Sequence, residues 1–188
     1  MYILPRLAFV FVWWLASYLP SFAQNQDPLQ EWLGIWKGNL QIYSLEGKKQ
    51  VIPMELHILP TDTAGRYTWK ILYDKSPRNY TLIAQDASKG LYLIDEKNGI
   101  ILENQLFANT FFGCFEVMGN LLTSTYRLEG KQLIFEIFSM SKKKLQKTGN
   151  IPEKESPEVI IYPSQVMQKA ILTNTSKQKS LPKVKGKK

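Results

Sequence analysis

The chain has one histidine, His57, and one cysteine, Cys114, so chemistry that needs a thiol pair or a cluster of soft metal ligands has almost nothing to draw on. No Gly-x-Ser-x-Gly elbow occurs, and a serine nucleophile would have to borrow His57 as its base. Carboxylates are better represented. A glycosidase-type pair needs two acids facing one cleft, about 5 to 9.5 Å apart, and Glu103, Glu116 and Glu136 are the acids on which such a hydrolase reading rests. Asp95 and Glu96 are adjacent and precede Asn98-Gly99, which makes them solvated turn acids. Cys114 lies among Phe111, Phe112 and Phe115 and is expected to be a small buried hydrophobe. These residues call for no enzymatic role, no cofactor and no metal.

The elements that position them are strands. From Gly34 to Met140 the chain is a run of segments with apolar residues at every second position, cut by glycine-bearing turns. Strands are expected at 34–43, 50–59, 66–74, 79–86, 90–95, 100–107, 110–118, 121–129 and 132–140, with Asn98-Gly99 the strongest hairpin turn. Pro53 removes a ladder donor and predicts an edge, a bulge or a frayed start in the second strand. No connection has room for a crossover helix, which excludes most parallel α/β architectures. Asp27-Pro28 predicts a short helical turn before the first strand. After Met140 the pattern breaks into Lys142-Lys143-Lys144 and a polar linker. A tenth strand is expected at 158–162, pairing back to the first, and a short helix at 163–172 from the spacing of Val166, Met167, Ala170 and Ile171. The fold class is therefore all-β, an antiparallel up-and-down meander barrel of 8 to 10 strands, closed because long bare edges invite aggregation.

Three sections of chain follow from composition. Residues 1–23 read as a secretory signal: Arg6, a 13-residue apolar run from Leu7 to Leu19, and small residues at Ser21 and Ala23. Such a run rises about 20 Å as a helix, short of a hydrocarbon core of roughly 30 Å. Cleavage near Ala23 gives a secreted or periplasmic chain with one domain at 24–172 and a basic tail at 173–188. Net charge is +8, yet residues 24–168 hold 16 basic and 16 acidic side chains, whereas 169–188 holds seven lysines and no acid. The domain is neutral, and the tail is expected to be disordered, with attraction to anionic surfaces as its second reading. A basic stretch without interleaved aromatics does not suggest a nucleic-acid partner.

Gly34-Ile35-Trp36, preceded by a helical turn and followed by a long first strand, resembles the G-x-W start of lipocalins and the wider calycin group. In that group the Trp packs across the closed end of the barrel under an Arg from a late strand, which implies Trp36 and Arg127 as the barrel-end pair. No second lipocalin motif and no disulfide pair accompany it, and the strand count exceeds eight, closer to fatty-acid-binding-type barrels.

If Trp36 faces inward, parity carries Gly38, Leu40, Ile42, Ile52, Met54, Leu56, Ile58, Tyr67, Trp69, Ile71, Tyr73, Tyr80, Leu82, Phe111, Gly113, Phe115 and Val117 inward with it. Leu40, Met54, Leu56, Tyr67, Trp69, Tyr73, Phe111 and Phe115 are the candidate ligand-contacting residues. Glycines 38 and 113 are expected to leave room, and the tyrosines to offer hydroxyls to a polar end. His57 shares the face of Glu55, opposite that lining, which counts against haem ligation. The reading that results is a monomeric barrel holding a small apolar or amphipathic ligand. Its rivals are a filled barrel that acts as an envelope interaction module through its tail, and a hydrolase.

Overall fold

Alternation in the sequence becomes a single axis in space. Trp36, Leu40, Met54, Leu56, Trp69, Leu82 and Phe111 all turn to one shared core, while Lys37, Glu55 and Lys70 between them turn out. The computed structural model describes residues 28–47 and 49–176. The signal peptide expected at 1–23 and the tail beyond 176 lie outside the described residues.

The strands are β1 (Gly34–Ser44), β2 (Lys49–Pro60), β3 (Arg66–Tyr73), β4 (Ser76–Asp86), β5 (Leu91–Asp95), β6 (Ile101–Phe107), β7 (Thr110–Val117), β8 (Asn120–Glu129), β9 (Gln132–Ser141), β10 (Gln146–Ile151), β11 (Ser156–Ile161) and β12 (Ser164–Asn174). Ten of them form a closed antiparallel barrel in the order β1-β12-β9-β8-β7-β6-β5-β4-β3-β2. The remaining two, β10 and β11, pair only with each other as a hairpin inserted between β9 and β12. The nine strands expected from alternation are present within a few residues of their expected bounds. Pro53 lies inside β2, one residue before pairing with β3 begins, and its carbonyl accepts the Asp74 N–H at 2.9 Å.

Closure is achieved differently from expectation. Residues 158–162 do not join the barrel, and 163–172 is not a helix: β12 occupies that stretch and pairs with both β1 and β9. Val166, Gln168, Ala170 and Leu172 take the inner face of β12, while Met167 and Ile171 are apolar residues on its outer face. Apolar groups on both faces imitate helical spacing. The strand also runs past the expected domain limit to Asn174, and Thr175 N–H donates to the Ile35 carbonyl at 2.8 Å, so residues 173–176 belong to the barrel wall rather than to a disordered tail.

The two ends of the barrel are built unlike each other. At one end the turn over 28–32 lays Leu29 and Trp32 across the opening, with Leu33 N–H closing on the Leu29 carbonyl at 3.2 Å. At the other end lie the β1–β2, β3–β4, β5–β6 and β7–β8 turns and the β10–β11 hairpin, an end referred to below as the mouth.

Candidate functional site

At the closed end, Trp36 is buried and its indole N–H donates to the Trp32 carbonyl at 2.8 Å. Trp32 stacks edge-on against Phe111 with ring centroids 4.6 Å apart. Gly34 has φ +140, and a side chain there would collide with the Asn174 amide. That amide donates to the Leu33 carbonyl at 3.1 Å and its oxygen accepts from Ser176, so Asn174, directly across from Trp36 on β12, clasps the start of the barrel to its end. Arg127 does not take this place. It alternates with buried Tyr126 and Leu128, points outward and pairs with Glu129 at 2.7 Å. The expected Trp36–Arg127 pair is therefore corrected to Trp36 with Trp32 and Asn174.

Above the closed end a cluster of buried side chains fills the interior. Leu40, Met54, Leu56, Trp69 and Phe111, five of the eight candidate ligand-contacting residues, are almost wholly buried in one cluster with Tyr92, Tyr126 and Phe135. Trp69 meets Phe111 and Tyr126 edge-on, at 5.9 and 4.9 Å. Burial pushes the Tyr126 phenol well above its ordinary range; the neighbouring Tyr73 phenol adds to the rise, and the Trp69 indole N–H opposes it. Tyr67 packs against this cluster from the lower end of β3. Gly38 leaves no room for a ligand: a methyl there would run into the Ile171 carbonyl, so this glycine serves a close approach of β1 and β12.

The mouth half is lined less densely. Ile42, Ile52, Tyr73, Tyr80, Leu102 and Ile137 face inward but are only partly buried, as are Phe115 and Leu122. Tyr73 and Phe115 are the two candidate residues that fall here. Desolvation holds the Tyr73 phenol up at about 12, and Tyr80 is raised by desolvation too, with the Arg78 charge opposing both shifts. At the rim, Ile42, Ser44, Leu45, Glu46, Gln50 and Gln165 line a hollow of about 380 Å³.

The acids and the thiol lie outside the lumen. Glu103 is exposed on the outer wall, Glu116 pairs with Lys142, and Glu136 pairs with Lys169 at 2.9 Å, so the three do not converge on one cleft. Cys114 is exposed rather than buried, because it alternates with inward Gly113 and Phe115; of its phenylalanine neighbours Phe111 and Phe115 turn inward, and Phe112 shares the outer face with it. His57 faces outward and its Nε2 lies 2.7 Å from Glu55, whose other oxygen takes Lys37 at 2.6 Å. The Lys37 hydrogen bond holds the Glu55 carboxyl below the ordinary range against partial desolvation, with His57 assisting.

Parity carried onto β6 and β8 exposes what the sequence reading leaves out. Asn104 and Ser124 are buried polar residues at inward positions between Leu102 and Leu106 and between Leu122 and Tyr126. A polar residue inside an apolar alternation was the available signal.

No protein-family model and no curated protein sequence matches the chain. Among solved structures of similar fold are two proteins. One is a protein of unknown function from the DUF3598 family of Nostoc punctiforme, at 12% identity and TM-score 0.58, covering 78% of this chain and 49% of that one. This chain thus spans about half the length of the Nostoc protein. The other is the S-type phycobiliprotein lyase of Guillardia theta, at 6% identity and TM-score 0.50, covering 78% of this chain and 89% of that one. The likeness to these neighbours is one of fold, a closed antiparallel ten-strand barrel in this chain. The expectation that the chain is not an enzyme is corrected by the second neighbour: a protein of similar fold is a lyase, so the fold gives no ground for excluding an enzyme.

Proposed function

We propose that the chain binds a small apolar or amphipathic molecule in the mouth half of its barrel, with the apolar body against Ile42, Ile52, Leu102, Phe115, Leu122 and Ile137. One observation carries this reading: a buried cluster fills the interior around Phe111, and nearer the mouth Ile42, Ile52, Leu102, Phe115, Leu122 and Ile137 face the shared axis only partly buried. Burying about 200 Å² of apolar surface there is worth roughly 5 kcal/mol before the cost of ordering the ligand. The signal-like residues 1–23 support an exported chain as the binding form. The test is a fluorescence titration with N-phenyl-1-naphthylamine. Saturable binding is expected, lost in Leu122→Arg, which sets a charge in the lumen, and kept in Ile171→Arg on the outer wall. Equal loss in both variants, or no saturable binding at all, contradicts the proposal.

The mouth-end hairpin favours a second reading, contact with a surface. All of β10 and most of β11 are exposed, Ile151, Val159, Ile160 and Ile161 among them, and nearby Met118 is 89% exposed beside Lys142-Lys143-Lys144. A two-strand hairpin is marginal alone, and apolar tips next to lysines suit an anionic bilayer. Retention on phosphatidylglycerol vesicles that falls in Met118→Asp supports this reading. Retention lost only when residues 178–188 are deleted assigns the contact to the tail.

A further inference from the structure

Asn104 is 2% exposed at an inward position of β6. Its Nδ2 donates to the Leu102 carbonyl at 3.2 Å, while its Oδ1, fully buried, meets no donor among the described residues. Native folds seldom leave a buried amide oxygen without a partner, because it forfeits its water and gains nothing in return. Gly113 sits beside it on β7. A side chain beginning there would lie 2.8 Å from Asn104 Oδ1 and 3.0 Å from Ser124 Oγ, too close for a carbon, so glycine at this position lets an acceptor and a hydroxyl lie together against β7. Strand pairing then sets Gly113, Ser124, Ile137, Gln168, Ile42 and Gln50 opposite one another in one row. Barrel strands tilt, so such a row climbs along the axis, and its last two members line the hollow at the rim. Mouthward of Asn104, Gly113 and Ser124 on the same three strands are Leu102, Phe115 and Leu122, the partly buried lining described above. Asn104 and Ser124 thus make an uncharged polar spot on the floor of the mouth half.

We propose that Asn104 Oδ1 and the Ser124 hydroxyl are the polar subsite of the barrel and that its ligands carry an uncharged hydrogen-bond donor, an O–H or N–H that donates to Asn104 Oδ1 while the Ser124 hydroxyl bonds alongside. The inference rests on the mouth-half reading and gives it a ligand class: neutral amphiphiles with a donor. A carboxylate would turn acceptors toward an acceptor with no cation beside it, and an ether would leave Asn104 unpaired. Gly113 lets the two polar side chains keep their places, which a methyl there would disturb.

The test is competition against diphenylhexatriene, a hydrocarbon probe with no polar group, using 1-dodecanol and dodecyl methyl ether on the purified chain. The alcohol-to-ether preference of the wild type is expected to fall about tenfold in Asn104→Leu, a change of ~1.4 kcal/mol, and to fall likewise in Gly113→Ala, with probe binding retained. The melting temperature of Asn104→Leu should hold or rise, since an unpaired buried oxygen is exchanged for an apolar side chain of similar size. Should that variant fail to fold, Ser124→Val is read by the same ratio. Saturable probe binding with an unchanged ratio overturns the subsite; a lower melting temperature with an unchanged ratio overturns it also, as a structural role. Absence of probe binding in the wild type overturns the mouth-half reading and the subsite with it.

Discussion

The two ends of this barrel use similar residue types to opposite effect. At the closed end Trp32 and Trp69 meet Phe111 edge to face, Trp36 is buried in the same cluster, and the Trp36 indole and the Asn174 amide each donate to a main-chain carbonyl. At the mouth, Tyr73, Tyr80, Phe115 and Leu122 stand on the same inward face with less covering them. Parity decides which way a side chain points; only what lies across the axis decides whether it is core or lining. The closed end has an extra element, the 28–32 turn, lying across its axis, and the mouth has turns and a hairpin around its edge.

The contrast can be broken or sharpened by experiment. Trp36→Ala should cost about 3 to 5 kcal/mol by urea unfolding, as truncation of a packed aromatic does; a loss below 1.5 would mean the closed end is as loose as the mouth. Alkaline titration is next. Tyr73 has a folded value near 12 against an ordinary 10.0, so below pH 10 both states are protonated and stability is intact. Between pH 10 and 12 the unfolded phenol ionises while the folded one does not, and stability falls by about 1.4 kcal/mol per pH unit. Tyr126, raised further by its burial, adds to the fall. Tyr73→Phe should flatten the slope in denaturation curves across this range, and an unchanged slope would remove Tyr73 from the buried set. Asn174→Ala should cost about 1 to 3 kcal/mol by leaving the Leu33 carbonyl without its donor, measured as a lower denaturation midpoint. Phe115→Ala should cost under about 1.5 kcal/mol, because the site is only partly buried, yet weaken naphthylamine binding severalfold. The smallest effect is expected on the outer wall. Lys37→Ala should change stability by less than about 1 kcal/mol for a partly exposed pair. Glu55 is lowered from 4.5, so that contribution is present above pH 4.5 and disappears as acid protonates the folded carboxyl.

The barrel was legible because nine strands alternate cleanly and their turns carry glycine. Trp36 and its parity set needed no more than that. The rest was hidden for identifiable reasons. β12 bears apolar residues on both faces, so Met167 and Ile171 completed a false helical pattern. The β10–β11 hairpin has no buried face to write an alternation into its sequence. Arg127 was placed by likeness to a family, although its position between Tyr126 and Leu128 already turned it outward. Cys114 was judged by its sequence neighbours, and the glycines at 38 and 113 look alike in sequence while one abuts a main-chain carbonyl and the other two polar side chains. What stands across the axis from a residue depends on pairing register over distant strands, which alternation within one strand does not encode.

The central claim is that the mouth half receives a ligand and the closed half does not. Methyl NMR of isoleucine- and leucine-labelled protein during a naphthylamine titration tests it directly. Saturable shifts are expected at Ile42, Ile52, Leu102, Leu122 and Ile137, with Leu29, Ile58, Leu128, Leu133 and Leu172 unmoved. Shifts confined to the closed-end methyls, or to outward residues such as Ile101 and Ile171, would contradict the account.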